Sequence, residues 1–194
     1  MKYTRFMPIA MLAFAVACSD TATSPTSVGG PLFALSAGTF GEVTTLNAAG
    51  APGGGHIQTG GPVSCIVSAT LVVTCSTGAY EIAGIGNANA EATLSASYSA
   101  TVDCTNKGGK LVPVKSTAQS APASTGEIEA KNGRLTVPQL STSGQPSPSQ
   151  FLNAATCPNG NWNKSLADGD PTLESFTYTL NFVGFATAAI LISA

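Results

Sequence analysis

Charge is the scarcest commodity in this sequence. Only 9 % of the 194 residues are Asp, Glu, Lys or Arg, and the formal net charge is −2. The few basic residues are scattered, so nothing here neutralises a phosphate backbone, and nucleic acid is excluded as a partner. An ordinary disordered chain is excluded too, since that state needs high net charge and little apolar content, whereas 43 % of these residues are hydrophobic. Histidine occurs once, at His56, and one imidazole without neighbouring ligands does not make a zinc site. There is no G-x-S-x-G nucleophile elbow. The N-terminal apolar run, Phe6–Ala17, is broken by Pro8 and falls short of the roughly 20 residues needed to cross a bilayer core. Helical periodicity is also missing, apart from one short stretch.

Alternation takes its place. From Ala92 to Cys104 every even position is apolar or Cys and every odd position is polar, the pattern of a strand with one buried and one wet face. Val63–Cys75 alternates in the same way, with Cys65, Val67, Ala69, Leu71, Val73 and Cys75 on one parity. As one straight strand it would hold Cys65 and Cys75 about 33 Å apart. As a hairpin turning at Ser68-Ala69-Thr70 it brings them opposite each other, and the usual strand length favours the hairpin. Cys65–Cys75 then bridges it, leaving Cys104–Cys157 as the second bond. By loop entropy the two are worth about 3 and about 4 kcal/mol. They matter more because three alanines on the inner face of 92–104 promise a thin core.

Further strands are expected at Tyr80–Ile85, at Leu111–Val114 with Pro113 marking an edge, and at Glu174–Phe182 and Ala188–Ser193. One or two more are expected within Pro31–Leu46. The run E-I-E-A-K-N-G-R-L-T-V predicts a hairpin about a two-residue type I′ turn at Asn132-Gly133. Its register pairs Lys131 with Arg134, Ala130 with Leu135, Glu129 with Thr136 and Ile128 with Val137. Ala48–Gly61, Lys115–Gly126 and Ser141–Pro148 read as loops, and Pro148 opens the one expected helical turn, through Phe151, Leu152 and Ala155. About nine strands are an all-β, antiparallel, two-sheet sandwich, immunoglobulin-like or related.

The N-terminus indicates location. Lys2 and Arg5 precede the short apolar run, so residues 1–17 read as a signal peptide. Ala15-Val16-Ala17-Cys18 suits an ordinary signal peptidase cut before Cys18. It also resembles a bacterial lipobox, with Ala15 where Leu is usual, whose cysteine receives a lipid. Parity favours the second reading: with Cys18 lipidated, the four remaining cysteines pair evenly in an oxidising compartment. In lipoproteins of that kind Asp after the cysteine retains the protein at the inner membrane. Here Ser19 follows, so the resemblance implies the outer membrane or cell surface, with secretion as the alternative. Residues 18–30 are then a polar tether and 31–194 a single domain.

The residues with chemical potential are few. His56 lies in a Gly-rich stretch and reads as a solvated loop residue. Asp168-Gly169-Asp170 has the acidic spacing of calcium loops without their further ligands, and a β-turn explains it equally well. Glu127 and Glu129 share a strand face with Lys131 and read as solvated charge. Trp162, among asparagines in C-P-N-G-N-W, is the one ligand-binding candidate, as a platform for a sugar. Its alternative role is a cover over the Cys157 bridge. Asn163-Lys164-Ser165 matches a glycosylation sequon, of little weight in a bacterial exported protein. No catalytic residue, metal set or cofactor is assigned.

The segments D-C-T-N-K-G-G at 103–109, K-N-G-R-L-T-V-P at 131–138, C-P-N-G-N-W at 157–162 and S-F-T-Y-T-L-N-F at 175–182 resemble a set of bacterial secreted β-sandwich proteins with lipoprotein-type signals. No activity is known for that family, so the resemblance implies fold and export and carries over no site. The expectation is a surface module of binding or structural role, anchored in a membrane through Cys18, with a protein or glycan as partner. The alternative is a subunit of an extracellular assembly, in which Pro31–Leu46 or Phe185–Ala194 completes a neighbour's sheet. A secreted hydrolase is the third reading, and it has no catalytic set behind it.

Overall fold

The computed structural model describes residues 34–169 and 171–194, so the expected signal peptide at 1–17, Cys18 and the expected tether at 18–30 lie outside the described residues. In chain order the strands are β1 (Gly38–Val43), β2 (His56–Thr59), β3 (Val63–Val67), β4 (Val73–Cys75), β5 (Tyr80–Ala83), β6 (Ala90–Thr105), β7 (Leu111–Gln119), β8 (Ala123–Ile128), β9 (Arg134–Val137), β10 (Leu140–Ser141), β11 (Asn163–Leu166), β12 (Thr172–Phe182) and β13 (Ile190–Ser193). One helix, α1 (Pro148–Ala154), separates β10 from β11.

The strictest alternation in the sequence becomes β6, 16 residues long. Its even positions from Ala90 to Tyr98, with Val102 and Cys104, are buried, while Glu91, Ser95 and Thr101 are exposed. Both of its edges are hydrogen bonded along most of their length. One edge carries β7 and then β8, from Thr105 opposite Leu111 to Ala90 opposite Ile128. The other carries β11 and then β12, from Thr105 opposite Asn163 to Ala90 opposite Phe182. Strand β13 completes this six-stranded sheet beyond β12. Fully paired backbone on both sides is what lets so long a strand persist.

Two smaller antiparallel sheets follow the orders β1-β3-β4-β10 and β2-β5-β9. Their inward residues join those of the large sheet in one hydrophobic cluster. Three contacts tie the sheets together. The hydroxyls of Tyr80 on β5 and Tyr178 on β12 lie 2.8 Å apart. Phe40 on β1 meets Phe176 on β12 edge to face at 5.6 Å. The Tyr98 hydroxyl on β6 donates to the Leu71 carbonyl at 2.8 Å, in the loop between β3 and β4.

Four expectations need correction. First, thirteen strands form among the described residues where about nine were counted, and there they are hydrogen bonded into three sheets rather than two. Second, Lys115–Gly126 is not a loop: it supplies the rear of β7 and most of β8. Its breakers misled because each sits where a ladder tolerates it. Pro122 falls in the gap between β7 and β8, and Gly126 takes φ +63° where the register with β6 shifts. Third, the Ala48–Gly61 stretch contains β2, the outer strand of the three-stranded sheet.

The fourth correction concerns the hairpin at Asn132-Gly133. The turn itself is present, with φ of 52° and 75° and paired backbone bonds between Lys131 and Arg134. Beyond that rung the arms part. Ile128 pairs with Ala90 in the large sheet, and Leu135 pairs with Ile82 in the small one. The amide of Ala130 donates to the Asn89 side chain at 3.0 Å, just before β6 rather than within a hairpin. The apolar faces of both arms are buried better against other strands than against each other.

Candidate functional site

The cysteines lie where alternation put them. Cys65 and Cys75 are directly opposite in the β3–β4 register, and both pairs, Cys65–Cys75 and Cys104–Cys157, are bonded. The connecting loop spans Ser68–Val72 and is wider than three residues. The Ser68 side chain accepts from the Val72 amide at 3.0 Å, and Leu71 takes φ +59°. A sequence without Gly or Asn there gave little sign of this turn.

Trp162 belongs to a small lobe built from α1 and β11. Gln150 accepts from the Ser147 amide at 2.7 Å and Pro148 opens the helix, a start that the sequence signals locally. Phe151 is fully buried, and its carbonyl accepts from the Ser116 hydroxyl on β7 at 2.7 Å. At the other end the Lys164 ammonium donates to the carbonyls of Leu152 and Ala155 at 2.9 and 2.6 Å. It thereby satisfies helix-end acceptors and complements the negative pole of the helix. Lys164 is also opposite Cys104 on β6, so the ammonium and the Cys104–Cys157 bond fasten the same lobe. Trp162 is half-buried, while Asn159, Asn161 and Asn163 beside it are exposed. Asn159 is engaged in a local turn, accepting from the Asn161 amide at 3.0 Å.

The remaining candidates stand apart from one another. His56 opens β2 and is exposed, its Nδ1 3.0 Å from the Gly54 carbonyl. Asp168 is exposed, and Asp170 lies outside the described residues. Glu127 sits opposite Glu91 on β6 and accepts from the Asn89 amide at 2.7 Å; Glu129 is exposed. Among the described residues no three His, Cys, Asp or Glu side chains gather in a metal-binding group. Two ion pairs lie at the surface, Arg134 with Glu81 at 2.7 Å and Lys115 with Glu174.

Sequence reasoning did not identify two features. An open cleft of about 520 Å³ is lined by Thr44 and by Ile57–Pro62, and its only sequence sign is the Gly60-Gly61 doublet. Inside the core, burial pushes the hydroxyls of Tyr80, Tyr98 and Tyr178 above the ordinary tyrosine range, and for Tyr80 the neighbouring Tyr178 adds to the rise. Partners 98 positions apart leave no local signal.

Set against family models, curated proteins and solved structures, the chain matches none of them. No described helix is long and apolar enough to cross a membrane. Two bonded cysteine pairs in an antiparallel β fold belong to an oxidising, extracytoplasmic setting.

Proposed function

We propose that this chain is a surface-exposed module of binding or structural role, held to the outer membrane or cell surface by a lipid on Cys18, with its sheets packed as an immunoglobulin-like or related sandwich. One observation supports it above the others. All four described cysteines are consumed in bonds, so Cys18, directly after an Ala-x-Ala signal sequence, is the odd one of five. A lipid gives that thiol a use. The interdigitated contacts Tyr80–Tyr178 and Phe40–Phe176 support face-to-face packing of the sheets. Mass spectrometry of the mature protein checks the anchor. The expected result is a diacylglyceryl mass on an N-terminal Cys18, and an unmodified start at Cys18 or Ser19 overturns it.

The assembly reading has weaker support. Strand β1 is paired with β3 and β13 with β12 in the chain's own sheets, so inserting either one into a neighbour's sheet would break an existing pairing. Light scattering on the purified protein separates the two: monomers favour the tethered module and regular fibres favour the assembly.

A further inference from the structure

The turn between β12 and β13 is apolar and bare. Val183 is 59 % exposed and Phe185 37 %, and they account for two of the five exposed large hydrophobic residues among those described. Every residue from Val183 to Thr187 is exposed. The tip is held in shape: the Phe185 amide donates to the Phe182 carbonyl at 3.1 Å, Gly184 takes φ +87°, and the Val183 amide donates to the Asn89 carbonyl at 2.9 Å. The Phe185 ring leans on Phe182 at 6.3 Å, so it is presented rather than loose. Elsewhere the outer positions of this sheet are largely hydroxyls and amides, such as Thr93, Ser95, Thr177 and Asn181, with Leu111 on β7 and Leu191 on β13 as isolated apolar exceptions. A preformed apolar tip at the end of a largely hydroxylated sheet is shaped to meet an apolar surface.

We infer that the Val183–Ala186 tip dips into the lipid interface of the membrane that carries the Cys18 anchor, as a second, shallow contact. This rests on the lipid anchor proposed above. The 16 positions from Cys18 to Ala34 span at most about 55 Å. The described chain is bound into the fold from Leu35, which pairs with Leu173 near the start of β12. Along β12 the tip is about 35 Å from that point, within reach of the anchor's bilayer. One acyl-bearing residue gives limited hold on a membrane, and a second apolar contact adds to it. The collar of the tip is acidic, with Glu91 opposite both Asn181 and Glu127. Apolar insertion rather than attraction to anionic headgroups therefore carries the contact, and it is insensitive to salt.

The test uses the lipidated full-length mature protein with Trp162→Phe and Phe185→Trp, reconstituted in phosphatidylcholine vesicles whose acyl chains are brominated near the glycerol end. The expected result is quenching of the tip tryptophan by roughly twofold or more over unbrominated vesicles, equal at low and high salt, and lost when Val183→Asp is added. Absence of quenching in a protein whose mass shows the lipid overturns the tip contact alone. A protein without lipid on Cys18 overturns the anchor and the tip together. A tip tryptophan shielded from aqueous acrylamide but untouched by bromine means that a second protein surface covers it, and this too overturns the proposal.

Discussion

Tyr80 and Tyr178 show what a single pair contributes to this core. Each hydroxyl is buried and finds its partner only in the other. Tyr80→Phe alone strands the Tyr178 hydroxyl and is expected to cost about 1–3 kcal/mol. Tyr80→Phe with Tyr178→Phe leaves no orphan and is expected to cost less than the single change, as urea denaturation of the three variants will show. The same burial sets an alkaline limit. The folded-state pKa values of Tyr80, Tyr98 and Tyr178 are raised above the ordinary 10.0, so their contribution is complete below pH 10 and is lost as the pH rises beyond it. Three of the four tyrosines are these buried ones; the fourth is Tyr3, within the segment read as a signal peptide. Phenolate absorbance of the mature protein is therefore expected to appear above pH 10 and together with loss of far-ultraviolet ellipticity, not ahead of it.

At the scale of elements, β6 and β12 compensate each other. Two of the three alanines that promised a thin core, and Ala90 just before them, are opposite bulky residues of the neighbouring strand: Ala90 faces Phe182, Ala92 faces Leu180 and Ala96 faces Phe176. Leu94 faces Tyr178 in the same register. Small against large keeps the volume of the layer even, and all of these side chains are buried. In the lobe of α1 and β11, β11 is paired with β6, while α1 is held by the buried Phe151, two ammonium bonds, one hydroxyl bond and the nearby disulfide. Lys164→Met removes the ammonium from the helix end. The expected loss is about 0.3–1 kcal/mol, visible as faster amide exchange confined to 148–155, with β6 and β12 unchanged.

For the whole molecule the long-range bridge is decisive. Cys104–Cys157 closes 53 residues and so restricts the unfolded chain more than the ten-residue bridge at Cys65–Cys75 does, though only with the logarithm of loop length. Replacing both Cys104 and Cys157 by Ser is expected to cost about 4 kcal/mol, against about 3 for the short pair. Guanidinium unfolding of the two double variants checks the order, and an equal or reversed loss contradicts it. Ions contribute little at this scale, since the two ion pairs lie at the surface. Stability should accordingly change little with salt.

Much of the molecule is legible along the chain. Alternation by itself determined that 92–104 is a strand and which of its faces is buried, because side chains alternate sides whatever the neighbour. Asn132-Gly133 determined a turn with positive φ at both positions, and Pro148 determined where a helix starts. The even parity of four cysteines matched their two bonds. Only the tertiary structure decided which strand is beside which. The arms of the Asn132-Gly133 turn part because Ile128 and Leu135 are buried on different sheets, and Lys115–Gly126 became strand because the long free edge of β6 had backbone groups to satisfy. Tyr80 met Tyr178, and Lys164 the end of α1, across gaps in sequence that no periodicity encodes. Side-chain period is a local property, whereas hydrogen-bond partnership depends on what the rest of the chain must bury.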